Sequence, residues 1–246
     1  MKRALFTLVG LLCAASFQIE AEEKIHAVTE EFAPFNHTEN GKVTGYSTQV
    51  VEELLERAGM PYDLAIYPWS RSYKMAQTLP NVLIFTLART PDREKEFQWI
   101  GALAKRKLYL YRLAARRDIN VVNLEDAKRY RISVNRDDAA ERLLLDLGFS
   151  YEKNLDLSPS DESSLKKLLA GRIDFITGND FTIAHRLKMS GVEPSRVRRS
   201  AMLIDQGEYY VAASKATSPE VVNRLRAAFQ QMEKEGVIKR LEPKID

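Results

Sequence analysis

Apolar and polar positions in the first third of the chain follow two periods in turn. Lys24–Val28 alternates polar and apolar, as a strand with one buried face does. Val50, Val51, Leu54, Leu55 and Ala58 then recur at helical spacing up to Gly59, with Ser47 as the expected cap. Pro61–Tyr67 is again extended, and Pro68-Trp69-Ser70-Arg71 opens a second helix running to about Leu79. Val82-Leu83-Ile84-Phe85 is an unbroken apolar run, the mark of a strand covered on both faces. Strand, helix, strand, helix, strand predicts a parallel sheet with helices packed on it. Asn40-Gly41 marks a tight turn before the first helix.

The pattern repeats further on. Phe97–Gly101 and Leu108–Leu113 read as extended, and Ala114-Ala115-Arg116-Arg117-Asp118 is a polar break that we take as a crossover. A second series follows: a strand at Ile132–Val134, a helix from Asp138 to Leu147 ended by Gly148, and a strand at Leu155–Leu157. A helix from Ser160 to Ala170 is stopped by Gly171, and a buried strand covers Ile173–Thr177. Asn179-Asp180 caps a helix to Met189. Tyr209–Ala213 reads as the returning strand, before helices at Pro219–Lys234 and about Val237–Leu241. This predicts an α/β protein of two lobes, each a sheet flanked by helices. Lobe 1 takes residues 22–113 and 208–246, and lobe 2 (114–207) is inserted into it through two crossover hinges that leave a cleft.

One stretch within this pattern carries chemistry. The run Val82–Phe85 leads into Thr86-Leu87-Ala88-Arg89-Thr90-Pro91-Asp92-Arg93. Thr90 suits a helix N-cap, Pro91 the first helical position and Asp92 the positive end of the dipole. Arg93 is then expected in a first helical turn at a strand end, where ligands of open α/β sheets collect. A guanidinium there takes a carboxylate with two parallel hydrogen bonds; the ordinary alternative is an ion pair with a nearby Asp or Glu. Trp69 and Arg71 also follow a strand end and are candidates for the cleft wall.

Composition changes the picture mainly by exclusion. The 246 residues are 45% hydrophobic and 29% charged with a net charge of +3, an ordinary globular balance. Lys2-Arg3, the apolar Ala4–Ala15 and cleavage after Ala21 predict a Sec-type signal peptide at residues 1–21, and hence a periplasmic protein. The single cysteine, Cys13, falls inside it without the small preceding residue of a lipoprotein signal, so no disulfide is expected. His26, His37 and His185 lack metal-ligand spacing; no metal and no cofactor is expected. Lys105-Arg106-Lys107 and Arg196-Val197-Arg198-Arg199 read as solvated faces or partner-docking surfaces, with no nucleic acid as partner. Ser160, Ser163 and Ser164 show no nucleophile-elbow pattern.

Several motifs resemble one family. Ala33-Pro34-Phe35, Gly41-Lys42-Val43-Thr44-Gly45-Tyr46, Thr90-Pro91-Asp92-Arg93, Gly171-Arg172-Ile173-Asp174-Phe175-Ile176 with Asp180, and Glu235-Gly236-Val237-Ile238 occur in order along the chain. This set is similar to the periplasmic solute-binding proteins of the polar-amino-acid type, family 3, which serve ABC importers. The resemblance implies a type II binding-protein clamp, a monomer, closing on a small polar, carboxylate-bearing solute for a membrane permease. It implies that Arg93 holds the ligand carboxylate, with Thr86 beside it. Phe32 would pack on the ligand, and Asp180 would take an ammonium group from the second lobe. Thr29 stands where the family has another acid, with Glu30 and Glu31 adjacent; Glu30 is the candidate there. Ala88 replaces a usual hydroxyl, and Asn135-Arg136-Asp137-Asp138 replaces the family's Gly-Thr/Ser-Thr loop. Two other readings share the fold: a solute sensor presented to a membrane partner, and a cyclohexadienyl-dehydratase-like enzyme with Glu30 or Glu31 as general acid.

Overall fold

The computed structural model describes residues 24–242. The expected signal peptide lies outside the described residues. The first lobe opens with β1 (Ile25–Thr29) and a hairpin of β2 (His37–Glu39) and β3 (Lys42–Thr44). Asn40 and Gly41 at its tip have φ of 51° and 76°, the turn geometry that Asn-Gly adopts at little cost. Then come α1 (Tyr46–Arg57), β4 (Tyr62–Ile66), α2 (Trp69–Thr78), β5 (Val82–Ala88) and β6 (Phe97–Lys105). The second lobe runs through β7 (Leu108–Leu113), α3 (Leu124–Ala127), β8 (Ile132–Asn135), α4 (Ala139–Asp146) and β9 (Leu155–Ser158). It continues with α5 (Asp161–Leu169), β10 (Phe175–Gly178), α6 (Asp180–Met189) and β11 (Val197–Ile204). The chain returns through β12 (Glu208–Ser214), α7 (Pro219–Lys234) and α8 (Val237–Leu241).

Two five-stranded sheets result, in the orders β4-β1-β5-β12-β6 and β11-β7-β10-β8-β9. In the first, β1 runs parallel to β4 and β5 while β12 is antiparallel to β5 and β6. The second repeats the scheme: β8 is parallel to β9 and β10, and β7 antiparallel to β10 and β11. β7 therefore belongs to the second sheet. The outgoing crossover is at Arg106-Lys107, ahead of the polar break at 114–118, because alternation identifies a strand without identifying its partner. The return crossover is Asp205–Gly207, between β11 and β12.

The apolar run of β5 serves two cores. Leu83 and Phe85 join α1 and α7 side chains such as Leu54, Leu225 and Phe229 on one face of the sheet. Val82 and Ile84 meet Trp69 and Ala76 of α2 on the other. In the second lobe Ile132 and Val134 pack with Leu144 of α4, and Ile176 packs with Leu165 of α5 and Leu187 of α6. Two details differ from expectation. α1 starts at Tyr46 with Gly45 as its N-cap at φ 114°, and Ser47 is buried inside it. A Cβ on Gly45 would come within 2.6 Å of the Phe35 carbonyl oxygen, so glycine is required there. Residues 91–96 form turns, with the Arg93 N–H donating to Thr90 O and the Glu96 N–H to Arg93 O, and no helix. Eight residues between two paired strands, without an apolar stripe, cannot offset the cost of helix nucleation.

Candidate ligand-binding cleft

Between the lobes is a cavity that offers about 30 Å³ to the centre of a water-sized sphere. Glu30, Phe32, Trp69, Thr86 and Arg93 line it from the first lobe, and Asn135, Asp138 and Asp161 from the second. Each comes from the end of a strand, the loop beyond it or the first residue of the following helix, where open α/β sheets expose their last side chains.

Arg93 is 3% exposed and lies over the rings of Tyr73 (4.8 Å) and Trp69 (5.7 Å). Its guanidinium donates to the carbonyl oxygens of Ala88 at 3.3 Å and Asp137 at 2.7 Å. The expected alternative, a carboxylate partner, is absent from its hydrogen bonds among the described residues. Asp137 O also accepts from Trp69 Nε1 at 2.9 Å. One second-lobe carbonyl thus receives two donors from the first lobe and latches the cleft. Asp137 presents it from φ 61°, with its own N–H donating to the buried carboxylate of Glu141 at 2.6 Å. The Ala139 N–H donates to Asp138 Oδ1 and the Asp138 N–H to Asn135 O. The Asp138 and Ala139 N–H groups at the start of α4 are therefore taken by the chain itself, and Arg93 is the charged donor among the residues that line the cavity.

The acceptors are more numerous. Asp161, the first residue of α5 after its N-cap Ser160, accepts from Asn135 Nδ2 at 2.9 Å and from Arg186 Nη2. A carboxylate only accepts, so Asn135 must turn its Nδ2 to Asp161, and its Oδ1 is buried without a partner. Burial pushes the Glu30 carboxyl well above its ordinary pKa, and Asp161 and Asp138 push it further against Arg186 and Arg93. Burial also raises Asp161, with Arg186 opposing. Glu30 is held by a buried chain: Asn36 Nδ2 donates to Glu30 O at 2.6 Å, and Thr86 Oγ1 donates to Asn36 Oδ1 at 2.5 Å. Thr86 reaches Asn36 because it is the extra residue of a β-bulge. β12 pairs Val211 with Phe85 and Tyr210 with Leu87, leaving Thr86 unpaired at φ 59°.

The residues expected from sequence are thus distributed unevenly. Arg93, Thr86, Phe32, Trp69 and Glu30 line the cavity. Asp180 does not: its side chain is 63% exposed and accepts from Tyr111 Oη at 2.6 Å and Arg199 Nη1 at 3.0 Å. Asn179 is the N-cap of α6, and the cleft acid comes from α5 instead. Arg71 is exposed, over the Tyr67 ring at 4.0 Å, and is no part of the wall. Arg106, read as part of a solvated basic cluster, is 6% exposed. Asp161 was hidden because Ser160-Asp161 reads as an ordinary helix start. Tyr209, whose edge meets Phe32 at 5.7 Å, was read only as a strand residue. Among the described residues no group of three or more His, Cys, Asp and Glu is placed to hold a metal, and no helix is long and apolar enough to cross a membrane.

Comparison with known proteins agrees with this architecture. The chain is 21% identical over 242 residues to the probable amino-acid-binding protein YxeM of Bacillus subtilis (strain 168), covering 92% of this chain and 84% of that one. An ancestral arginine-binding protein bound to arginine superposes with a TM-score of 0.76 at 16% identity, over 89% of this chain and 96% of that one. A histidine kinase sensor domain similar to periplasmic binding proteins gives 0.76 at 18%, over 88% and 92%. At these identities the structures share the fold, that of type II periplasmic binding proteins. The model of the bacterial extracellular solute-binding proteins, family 3, matches residues 25–245, and the chain belongs to that family.

Proposed function

We propose that this chain is a periplasmic binding protein that captures a small amino-acid-like solute by lobe closure and delivers it to an ABC importer. The observation that carries this reading is the cavity's lining: Glu30, Asp138, Asp161 and the free Oδ1 of Asn135 converge on it, and among the described residues that line it Arg93 is the cation, Arg186 behind them being paired with Asp161. Such a site takes a solute with at least one ammonium group, and Arg93 takes its carboxylate by exchanging the Asp137 carbonyl for it. Micromolar affinity requires about −8 kcal/mol, and a charge-assisted hydrogen bond nets only ~1.5–3 kcal/mol. Both ends of the solute and the exclusion of water on closure are therefore needed.

The test is titration calorimetry of unfolded and refolded protein with a panel of amino acids, amines and dicarboxylates. Saturable one-to-one binding of an amino acid, lost in Arg93→Ala and weakened in Glu30→Gln, is the expected result. Binding that survives both substitutions would place the site elsewhere. Glu30 also supports a second reading, because a carboxyl whose pKa is raised by burial and by Asp161 and Asp138, in the cavity that Arg93 lines, has the setting of a general acid. Stoichiometric binding of prephenate or arogenate without product would remove that reading.

A further inference from the structure

Two histidines from opposite lobes meet across the cleft. His37 begins β2 in the first lobe and His185 lies on α6 in the second, and their ring centroids are 5.3 Å apart at an interplanar angle of 53°. Both are half-buried, and His37 Nδ1 is buried without a hydrogen-bond partner. Each ring adjoins a residue that holds a cleft acid: Asn36 donates to Glu30 O, and Arg186 pairs with Asp161. The surroundings do not favour a positive charge on either ring. Arg186 and Lys188 share α6 with His185. Of the nearby acids, Asp161 is engaged by Arg186 and Asn135, and Glu162 by Lys166. Glu31 accepts the Thr38 N–H and hydroxyl, and Glu39 is exposed, opposite Lys42 on β3. An imidazolium carries N–H on both nitrogens, so a charged His37 would bury an Nδ1–H that meets no acceptor. Burial, with His37, Lys188 and Arg186 beside it, holds the His185 imidazole below its ordinary pKa against the pull of Glu31.

We propose that His37 and His185 form an acid-sensitive contact between the lobes, which holds the cleft closed while both rings are neutral and opens it when they are protonated. Two like charges at ring-contact distance repel, and parting the lobes returns both imidazolium groups to water. Protons therefore bind the open arrangement better and shift the hinge equilibrium toward it. The closed arrangement weakens as pH falls below 6.5, the ordinary value that an opened His185 regains, and the loss levels off below its lowered value. The inference rests on the lobe closure proposed above, but its test needs no solute.

Solution scattering of the solute-free chain is followed from about pH 8 to about pH 5, with circular dichroism to show that the fold persists. The radius of gyration should rise through this window in the parent, and the rise should be lost in His37→Gln and in His185→Gln. Either variant decides alone if the other does not fold. His26→Gln, which removes a ring bonded to Asp63 within the first lobe, should keep the rise. Repeating the series in a Glu30→Gln background excludes the titration of that carboxyl. The His185 ring signals in nuclear magnetic resonance should titrate below 6.5 in the parent and closer to it in His37→Gln. A radius indifferent to pH, or an equal rise in the parent and the histidine variants, overturns the proposal. Contraction by an amino acid at neutral pH in that case leaves lobe closure standing and removes the histidine contact alone.

Discussion

Asp161 and Asp180 each occupy the first turn of a second-lobe helix, yet only Asp161 faces the cleft. Asp161→Asn should weaken binding of an amino-bearing solute about tenfold or more, the worth of one charge-assisted hydrogen bond. Asp180→Asn, on an exposed side chain already engaged by Tyr111 and Arg199, should leave affinity nearly unchanged. Calorimetry on the two variants decides this, and equal losses would contradict the placement. Glu30 gives a pH prediction. Its folded pKa lies well above the ordinary 4.5, so the folded state takes up the proton first. Stability of the solute-free protein should rise as pH falls through the raised value and level off below 4.5, where the unfolded chain is protonated too. Denaturant titrations across this window should show the gain, and Glu30→Gln should abolish it. Affinity for a cationic solute should move oppositely, falling with pH as the carboxylate it needs is neutralised. At this scale Arg93 was legible because a strand end and a Thr-Pro-Asp sequence point to it. The cleft acid was not, since Asn179-Asp180 and Ser160-Asp161 are equally good helix starts. Only packing tells which one faces the other lobe.

Among the elements, the loop before α4 has a role its residue types conceal. Glu141 is 5% exposed; it accepts the Asp137 N–H at 2.6 Å and the Tyr151 hydroxyl at 2.5 Å, and so aims the Asp137 carbonyl at Arg93 and Trp69. Glu141→Ala should lower stability by roughly 2–3 kcal/mol, because a backbone donor and a tyrosine hydroxyl lose their partner. It should also weaken solute binding without touching the solute, because Trp69 still needs that carbonyl as its acceptor across the cleft once Arg93 has exchanged it for the solute. Asp137→Gly keeps the carbonyl and suits φ 61°, so it should be neutral or stabilising by up to about 1 kcal/mol. Chemical denaturation and calorimetry on the pair separate the two effects. Most helices and strands were legible from periodicity and their Gly and Ser boundaries. β11 was not: it is an edge strand whose Arg198 and Arg199 face solvent, so a strand guarded by charge read as a basic surface cluster. The bulge at Thr86 was equally silent, since an extra residue in a strand leaves the apolar run unbroken.

For the molecule as a whole, the proposed function makes closure the step that couples the cleft to a partner, and Trp69 is placed to report on it. Its Nε1 donates across the cleft to Asp137 O, while Trp99, the other tryptophan, donates within its own lobe to Glu94 O. Solute addition should change tryptophan emission and contract the particle in solution scattering. Trp69→Phe should erase the emission change and shift the lobes toward the open form by ~1 kcal/mol, one net hydrogen bond. An unaltered emission response in that variant would mean the signal comes from elsewhere. The interleaving of the two sheets also sets the order in which they can be completed. Every strand of the second sheet lies between Leu108 and Ile204, whereas β12, which separates β5 from β6 in the first, begins only at Glu208. During synthesis the inserted lobe is whole before the lobe that surrounds it. Until β12 emerges, β5 and β6 each carry an open edge, and the half-made protein is sticky there.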